Sequence, residues 1–320
     1  MPTRMYKSTD PGAPTLRGQV GSLISVLRAC LVDGFGSNPP LGWSMPYTDG
    51  NNPPLRAHFR QAPKTGWGQY DLEVKDDGST SLGADASFAE AWGWAGATGL
   101  AAGDLAFPVR TAEGMVHRKS ATTNATARRW MLVGTDRSFI FVAYHASGGD
   151  WAAAEAWFFG DIIPVGPTDV WAVALLGGNR LQHFPGMADL LDTRVVAVLP
   201  YTFQGATGPV PFNRVWPAGV STGDYSVGNG SFVYPNGPDG RGYIERVLVI
   251  QSGHLRAVLP GFWAPLHNWK SASNILDWQT FDGAGDLAGR SFIVAKWGTG
   301  GTGHGTVAFC IETSDTWYVL

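Results

Sequence analysis

The stretch KWGTGGTGHGTVAFC, residues 296–310, holds five glycines between Gly298 and Gly305. Glycine-rich turns bind phosphate when their backbone N–H groups lead into a helix and a lysine completes the site, in the pattern G-x-x-x-x-G-K-[ST]. Here no lysine follows the glycines, and the next residues, TVAFCIE, alternate as a strand does. The dinucleotide pattern G-x-G-x-x-G also needs a helix after it. Gly298-Thr299-Gly300-Gly301-Thr302-Gly303 lacks one. The loop is therefore expected to be a hairpin connection carried by Phe292, Val294, Val307 and Phe309, with no cofactor.

Other chemistry is sparse. GVSTG at 219–223 fits G-x-S-x-G, which exposes a nucleophilic serine on a strand-to-helix turn. No helical pattern follows Ser221, so the match is expected to be incidental. Glycoside hydrolysis needs two carboxyl groups about 5–9 Å apart. Asp161, Glu245, Asp282 and Asp286 are candidates by type alone. Asp76-Asp77-Gly78 reads as a turn, and the loop over Asp282 and Asp286 lacks the alternating oxygen ligands of a calcium loop. The histidines, His58, His117, His145, His183, His254, His267 and His304, form no HxH, HExxH or Cys/His cluster, so no metal is expected. Cys30 and Cys310 sit in apolar runs and read as two buried thiols. No residue is assigned to catalysis, cofactor binding or metal binding, and the expected protein is not an enzyme.

Composition narrows the partners. The chain has 320 residues, enough to bury a sizeable core, and a net charge of −3. Only 15% of residues are charged, against about 25% in an average globular chain. Such a surface is covered by neutral polar groups, backbone or a partner, which favours an assembled protein but also fits a monomeric β protein. Arg128-Arg129 is too short a basic run for nucleic acid. The N-terminus has no apolar signal region, and the apolar runs fall short of the ~20 residues that span a bilayer. A soluble protein made in the cytosol, without a membrane partner, is expected. The 14 tryptophans suit a core, a subunit interface or a sugar-binding face.

The elements that must position these residues are mostly strands. Residues 1–18, rich in Pro and Gly, read as an extended arm that gains order against a neighbouring chain. Val20, Leu23, Ile24, Leu27 and Leu31 recur at helical spacing until Gly34 stops them. Beyond residue 55 the period is two: Leu55, Ala57 and Phe59, then Tyr70, Leu72 and Val74. RRWMLVGTDRSFIFVAY, 128–144, reads as a hairpin around Gly134-Thr135-Asp136. The segment 84–96 leans to strand. DVWAVALLGG, RVVAVLPYTF and YIERVLVIQSGHLRAVLP continue the pattern. The expected fold is mainly β, with antiparallel sandwich-like sheets, one N-terminal amphipathic helix and an extended arm. Its expected regions are 1–36 for arm and helix, 37–165 for a first β region and 166–320 for a second, divided near Pro164–Pro167.

Several segments together carry a resemblance. They are MYKSTDPGAPTLRGQVGSLISVLRACLVDGFG, GWSMPYTDGNN, WFFGDI, LRAVLPGFWAPLHN and FDGAGDLAGRSFIVAKW with GTVAFCIETSDTW. In this order, from Met5 to about Trp317, they resemble a family of structural proteins encoded in the morphogenesis regions of tailed bacteriophages. The resemblance implies a virion component of head, neck or tail, assembled in the host cytoplasm as a homo-oligomer among other virion proteins. Two further readings stay open: a carbohydrate-binding, host-recognition or capsid-decorating module with tryptophans on sugar rings, and a glycan-degrading enzyme of the particle. Trp43, Trp92, Trp94, Trp263 and Trp269 discriminate between the first two, by lying in protein contacts or along an open groove.

Overall fold

Each layer of this protein follows from how many faces of its strands are apolar. The computed structural model describes residues 2–80, 83–100, 102–107, 115–145, 154–166, 169, 172–177, 196–201, 207–210, 243–251, 254–265, 276–297 and 307–319. Along the chain come β1 (Arg4–Lys7), helix α1 (Ser22–Arg28) with a wider π-type turn over Ala29–Asp33, β2 (Ser44–Thr48), β3 (Arg56–Arg60) and β4 (Tyr70–Lys75). A small hairpin, β5 (Ser79–Thr80) and β6 (Gly83–Ala84), leads to the long β7 (Phe88–Gly99), then β8 (Ala102–Phe107) and β9 (Met115–Arg118). Next are β10 (Arg129–Gly134), β11 (Ser138–Tyr144), β12 (Ala154–Asp161), β13 (Ile163–Pro164), β14 (Val173–Gly177), β15 (Val196–Tyr201) and β16 (Thr207–Val210). The last strands are β17 (Ile244–Gln251), β18 (His254–Pro265), β19 (Thr280–Asp282), β20 (Ser291–Trp297) and β21 (Val307–Glu312).

These strands build an antiparallel, sandwich-like β fold in three layers. The central sheet runs β1-β10-β11-β12-β14-β15-β16. On one side lies β2-β3-β4-β7-β8, with β9 also paired to β7; on the other lies β13-β18-β21-β20-β19, with β17 paired to β18. The central strands SFIFVAY and AEAWFFGD are buried at every position because both of their faces are covered. Phe139, Phe141 and Ala143 point into one apolar cluster with Ala57, Phe59, Leu72, Val74 and the helix. Ile140, Val142 and Tyr144 point into the other, with Val249, Leu259, Ile293 and Phe309. The outer strand RAHFR has only one core face, so Ala57 and Phe59 go inward and Arg56, His58 and Arg60 take the opposite face.

Helix α1 packs its expected stripe inward: Leu23, Ile24, Leu27 and Leu31 are fully buried. Val20 is 41% exposed, because Gly21 turns the chain at φ 72° just before the helix. The unpaired N–H groups of a helix start need acceptors. Here the Asp76 carboxylate accepts from the Leu23 N–H at 2.9 Å.

The N-terminal arm corrects one expectation. It is extended, but it is seated on its own chain. β1 pairs antiparallel with β10 from Arg4↔Gly134 to Lys7↔Met131. Tyr6 is buried and its hydroxyl donates to the Pro39 carbonyl at 2.7 Å; Leu16 is fully buried. Trp130 Nε1 donates to the Pro14 carbonyl at 3.0 Å. The Pro and Gly content excludes a helix but leaves a strand able to complete the edge of β10, with two large apolar side chains to anchor it. The C-terminus closes nearby: Thr3 Oγ1 donates to the Ser314 carbonyl at 2.8 Å.

The hairpins expected from alternation are present. β10 and β11 flank the turn after Gly134. β20 and β21 pair from Phe292↔Glu312 to Trp297↔Val307, so the glycine-rich segment joins two antiparallel partners and is followed by a strand. Residues 298–306 themselves lie outside the described residues.

Candidate functional site

The structure separates the residues that sequence singled out for chemistry. Asp161 ends β12, where Arg137 clamps it. Glu245 lies on β17, and burial raises its pKa. Asp282 is an exposed edge residue of β19 that accepts from Ser291 Oγ at 2.7 Å. Asp286 sits in an exposed 3-10 turn. Cys30 and Cys310 are buried thiols in different apolar clusters, and burial raises both well above the ordinary thiol range. Ser221, Trp269, His183, His267 and His304 lie outside the described residues. Among the described residues, no three His, Cys, Asp or Glu side chains gather as a metal site.

Charged side chains are instead buried between and upon the layers. Lys119 and Asp76, both side chains fully buried, form an ion pair, and Lys119 Nζ also donates to the Gln19 carbonyl at 2.6 Å. Burial pushes Asp76 up to about 6 against the pull of Lys119, and burial lowers Lys119. On the outer face of β3 and β4, Arg60 grips Asp71 through Nε at 2.7 Å and Nη2 at 2.8 Å. Arg56 Nε donates to Glu73 at 2.6 Å. His58 lies between the two acids, each of its ring nitrogens 3.6 Å from one of them. Burial works against its charge, but Asp71 and Glu73 outweigh that and raise its pKa. A third group joins β9 to β12. His117 Nδ1 is 3.4 Å from Glu155, which also accepts from the Arg118 N–H. Burial drives the pair apart in pKa, His117 well down and Glu155 well up, each toward its uncharged form.

Among the described residues, a recess is built by the loop between β3 and β4. Its two ends are fixed by one side chain. Arg137, in the β10–β11 turn and 1% exposed, donates to the carbonyls of Ala62 and Gly68. The same guanidinium meets Asp161 in a fork, Nε to Oδ2 at 2.7 Å and Nη2 to Oδ1 at 3.0 Å. Gln61 Nε2 donates to Asp161 Oδ1 at 3.1 Å, and its Oε1 accepts from the Tyr70 N–H at 2.9 Å. The loop thus holds Trp67 up between Gly66 and Gly68, with Lys64 Nζ 3.6 Å from the centre of a Trp67 ring. Tyr318 meets Trp67 edge to face at 6.1 Å, and its hydroxyl shares a 2.6 Å hydrogen bond with Ser138 Oγ. A cavity of about 110 Å³ opens here, lined by Trp67, Tyr70, Asp161, Pro164, Asp169, Ala172 and the two glycines. Asp169 is held in its turn by Arg256, at 2.7 and 3.2 Å. Burial raises Asp161 although Arg137 opposes the shift.

Of the sequence candidates, this recess takes up Asp161 alone. Trp67, Arg137 and Asp169 were not singled out. The signal for Trp67 was a large ring between two glycines in a polar turn, TGWGQ. No local signal marks Arg137 or Asp169, whose roles come from pairing across the sheets. Of the five tryptophans expected to discriminate between readings, the four described are buried in protein contacts: Trp43 is 4% exposed, Trp92 6%, Trp94 3% and Trp263 5%. Comparison with protein-family models and with curated proteins finds no match.

Proposed function

We propose that this chain is a non-catalytic framework subunit of a tailed-phage particle, a neck or tail assembly protein that acts as a homo-oligomer with other virion proteins. The phage assignment rests on the sequence resemblance. The framework role is supported by one observation above the others: Trp43, Trp94 and Trp263 are buried with their indole N–H groups engaged inside the fold. Trp43 Nε1 donates to the Thr135 carbonyl at 2.9 Å, Trp94 Nε1 to Glu73 at 2.6 Å and Trp263 Nε1 to Glu312 at 2.9 Å. A buried indole with its N–H engaged contributes apolar area and orientation at once. The buried ion pairs act in the same sense. Arg137, paired with Asp161 in the central sheet, ties that sheet to the loop of the outer one through the Ala62 and Gly68 carbonyls, and Lys119–Asp76 joins the end of β9 to Asp76, which caps the helix start.

The test is assembly. The purified chain should form oligomers of defined mass by light scattering, and electron microscopy of particles from producing cells should find it at the neck or tail. A chain that stays monomeric at high concentration and is absent from purified particles would overturn the proposal.

A further inference from the structure

We propose that the recess beneath Trp67 is a saccharide subsite that takes the edge of one neutral sugar ring. The proposal does not rest on the framework role, since a virion subunit can carry a glycan contact and so can an unrelated protein.

Three features point to that ligand class. First, the acidic groups are already neutralised. Asp161 is forked by Arg137 and Asp169 by Arg256, and Lys64 adds a further cation over Trp67. An extra cation gains little from carboxylates so paired, and an anion would face their oxygens. Second, acceptor capacity remains. A carboxylate offers about four acceptor sites, and Arg137 with Gln61 takes three on Asp161. A ligand hydroxyl can donate to what is left, and the lining matches the usual pattern of an apolar wall with a few convergent polar groups. Third, Trp67 lines the cavity and gives it an aromatic, apolar wall, held in place by Lys64 over its ring and Tyr318 edge to face. The cavity of about 110 Å³ compares with about 30 Å³ for one water in the liquid. It holds a few waters, or the edge of a single ring, and no longer segment of a glycan.

The site is also preorganised, which is what a weak, small ligand requires. Arg137 fixes both ends of the loop, and Arg137 is itself locked by Asp161. The β3–β4 loop that carries Trp67 is thus held at both ends before any ligand arrives.

The experiment uses the intact chain. Tryptophan fluorescence and calorimetry are followed while glucose, galactose, mannose and N-acetylglucosamine and their disaccharides are added. Methylguanidinium, inorganic phosphate and guanosine serve as the cationic, anionic and nucleobase alternatives. The expected result is saturable binding of at least one sugar in the millimolar range, weakened about tenfold or more by Trp67→Ala and by Asp169→Asn, and largely kept by Trp67→Phe. Trp67→Ala must keep the melting transition of the parent, because Trp67 is partly exposed; Trp67→Phe separates loss of the aromatic wall from loss of the loop. Absence of saturable binding by every sugar overturns the proposal. So does sugar binding that Trp67→Ala and Asp169→Asn leave unchanged, or saturable binding of one of the three alternatives in place of sugar.

Discussion

Replacing Arg137 with methionine keeps much of its stem and removes the guanidinium. Asp161, whose side chain is 2% exposed, then loses a two-pronged partner, and the carbonyls of Ala62 and Gly68 lose their donor. Breaking a buried pair by removing one partner costs about 3–5 kcal/mol. At about 2 °C per kcal/mol for a chain of this size, the melting temperature should fall by roughly 6–10 °C. The sign of the pH dependence follows from Asp161. Burial already raises its folded pKa above the ordinary carboxylate value of 3.8, and Arg137 is the main influence holding it down. A group with a raised folded pKa contributes stability that is complete below its unfolded pKa and is lost as pH rises through the folded one. Without Arg137 the folded pKa rises further, so the cost of Arg137→Met should be largest near neutral pH and shrink as acid protonates Asp161. The assay is urea denaturation of the parent, Arg137→Met, Asp161→Leu and the double variant across pH. The double variant should cost less than the sum of the singles, since neither charge is then left alone. A loss below about 1 kcal/mol, a loss that does not change with pH, or strictly additive singles would refute the reasoning.

Glu155→Gln should stabilise the protein at neutral and alkaline pH: burial raises Glu155 well above 4.5, so its contribution is present at acid pH and lost as pH rises through the folded pKa, and glutamine does not ionise. Thermal melts should show a gain at pH 8 that fades toward pH 4. Gly261→Ala should destabilise by roughly 1–3 kcal/mol in urea, because the backbone there is left-handed at φ 72° and a Cβ would lie 2.4 Å from the Trp317 ring; an unchanged midpoint would show that Trp317 is not locked against it. Replacing residues 299–304 with Asn-Gly should change stability by no more than about 1 kcal/mol, since the β20–β21 ladder and the buried Phe292, Val294 and Phe309 remain. Calorimetry should find no ATP or dinucleotide binding to the parent, and micromolar binding lost with that replacement would restore the phosphate-loop reading.

The periodicities were legible because each depends on neighbours in sequence. Leu72 and Val74 alternate with Asp71 and Glu73, and the strand has one core face, as that alternation requires. The helix stripe, the 128–144 hairpin and the final hairpin follow the same logic. The number of layers was carried by a subtler sign. AEAWFFGD has no polar alternation over Ala156–Phe159, and a strand with two apolar faces must be covered twice. The arm was misjudged because its proline and glycine count says what it cannot form, whereas Tyr6 and Leu16 say what it can bury.

What sequence could not supply is pairing at a distance. Arg137 and Asp161 stand 24 residues apart, and Gln61 reaches Asp161 across 100. No spacing rule links such residues, because the β10–β11 turn and the end of β12 meet only after the register of the central sheet is set. The same holds for Lys119 and Asp76, 43 residues apart on β9's end and β4's end. Each pair is buried where an outer layer or the helix meets the strands beside it, and there a lone charge would be costly and a matched one fixes geometry. Charge in this protein is scarce, at 15% of residues, and among the described residues Asp76, Lys119, Arg137 and Asp161 are buried in these pairs.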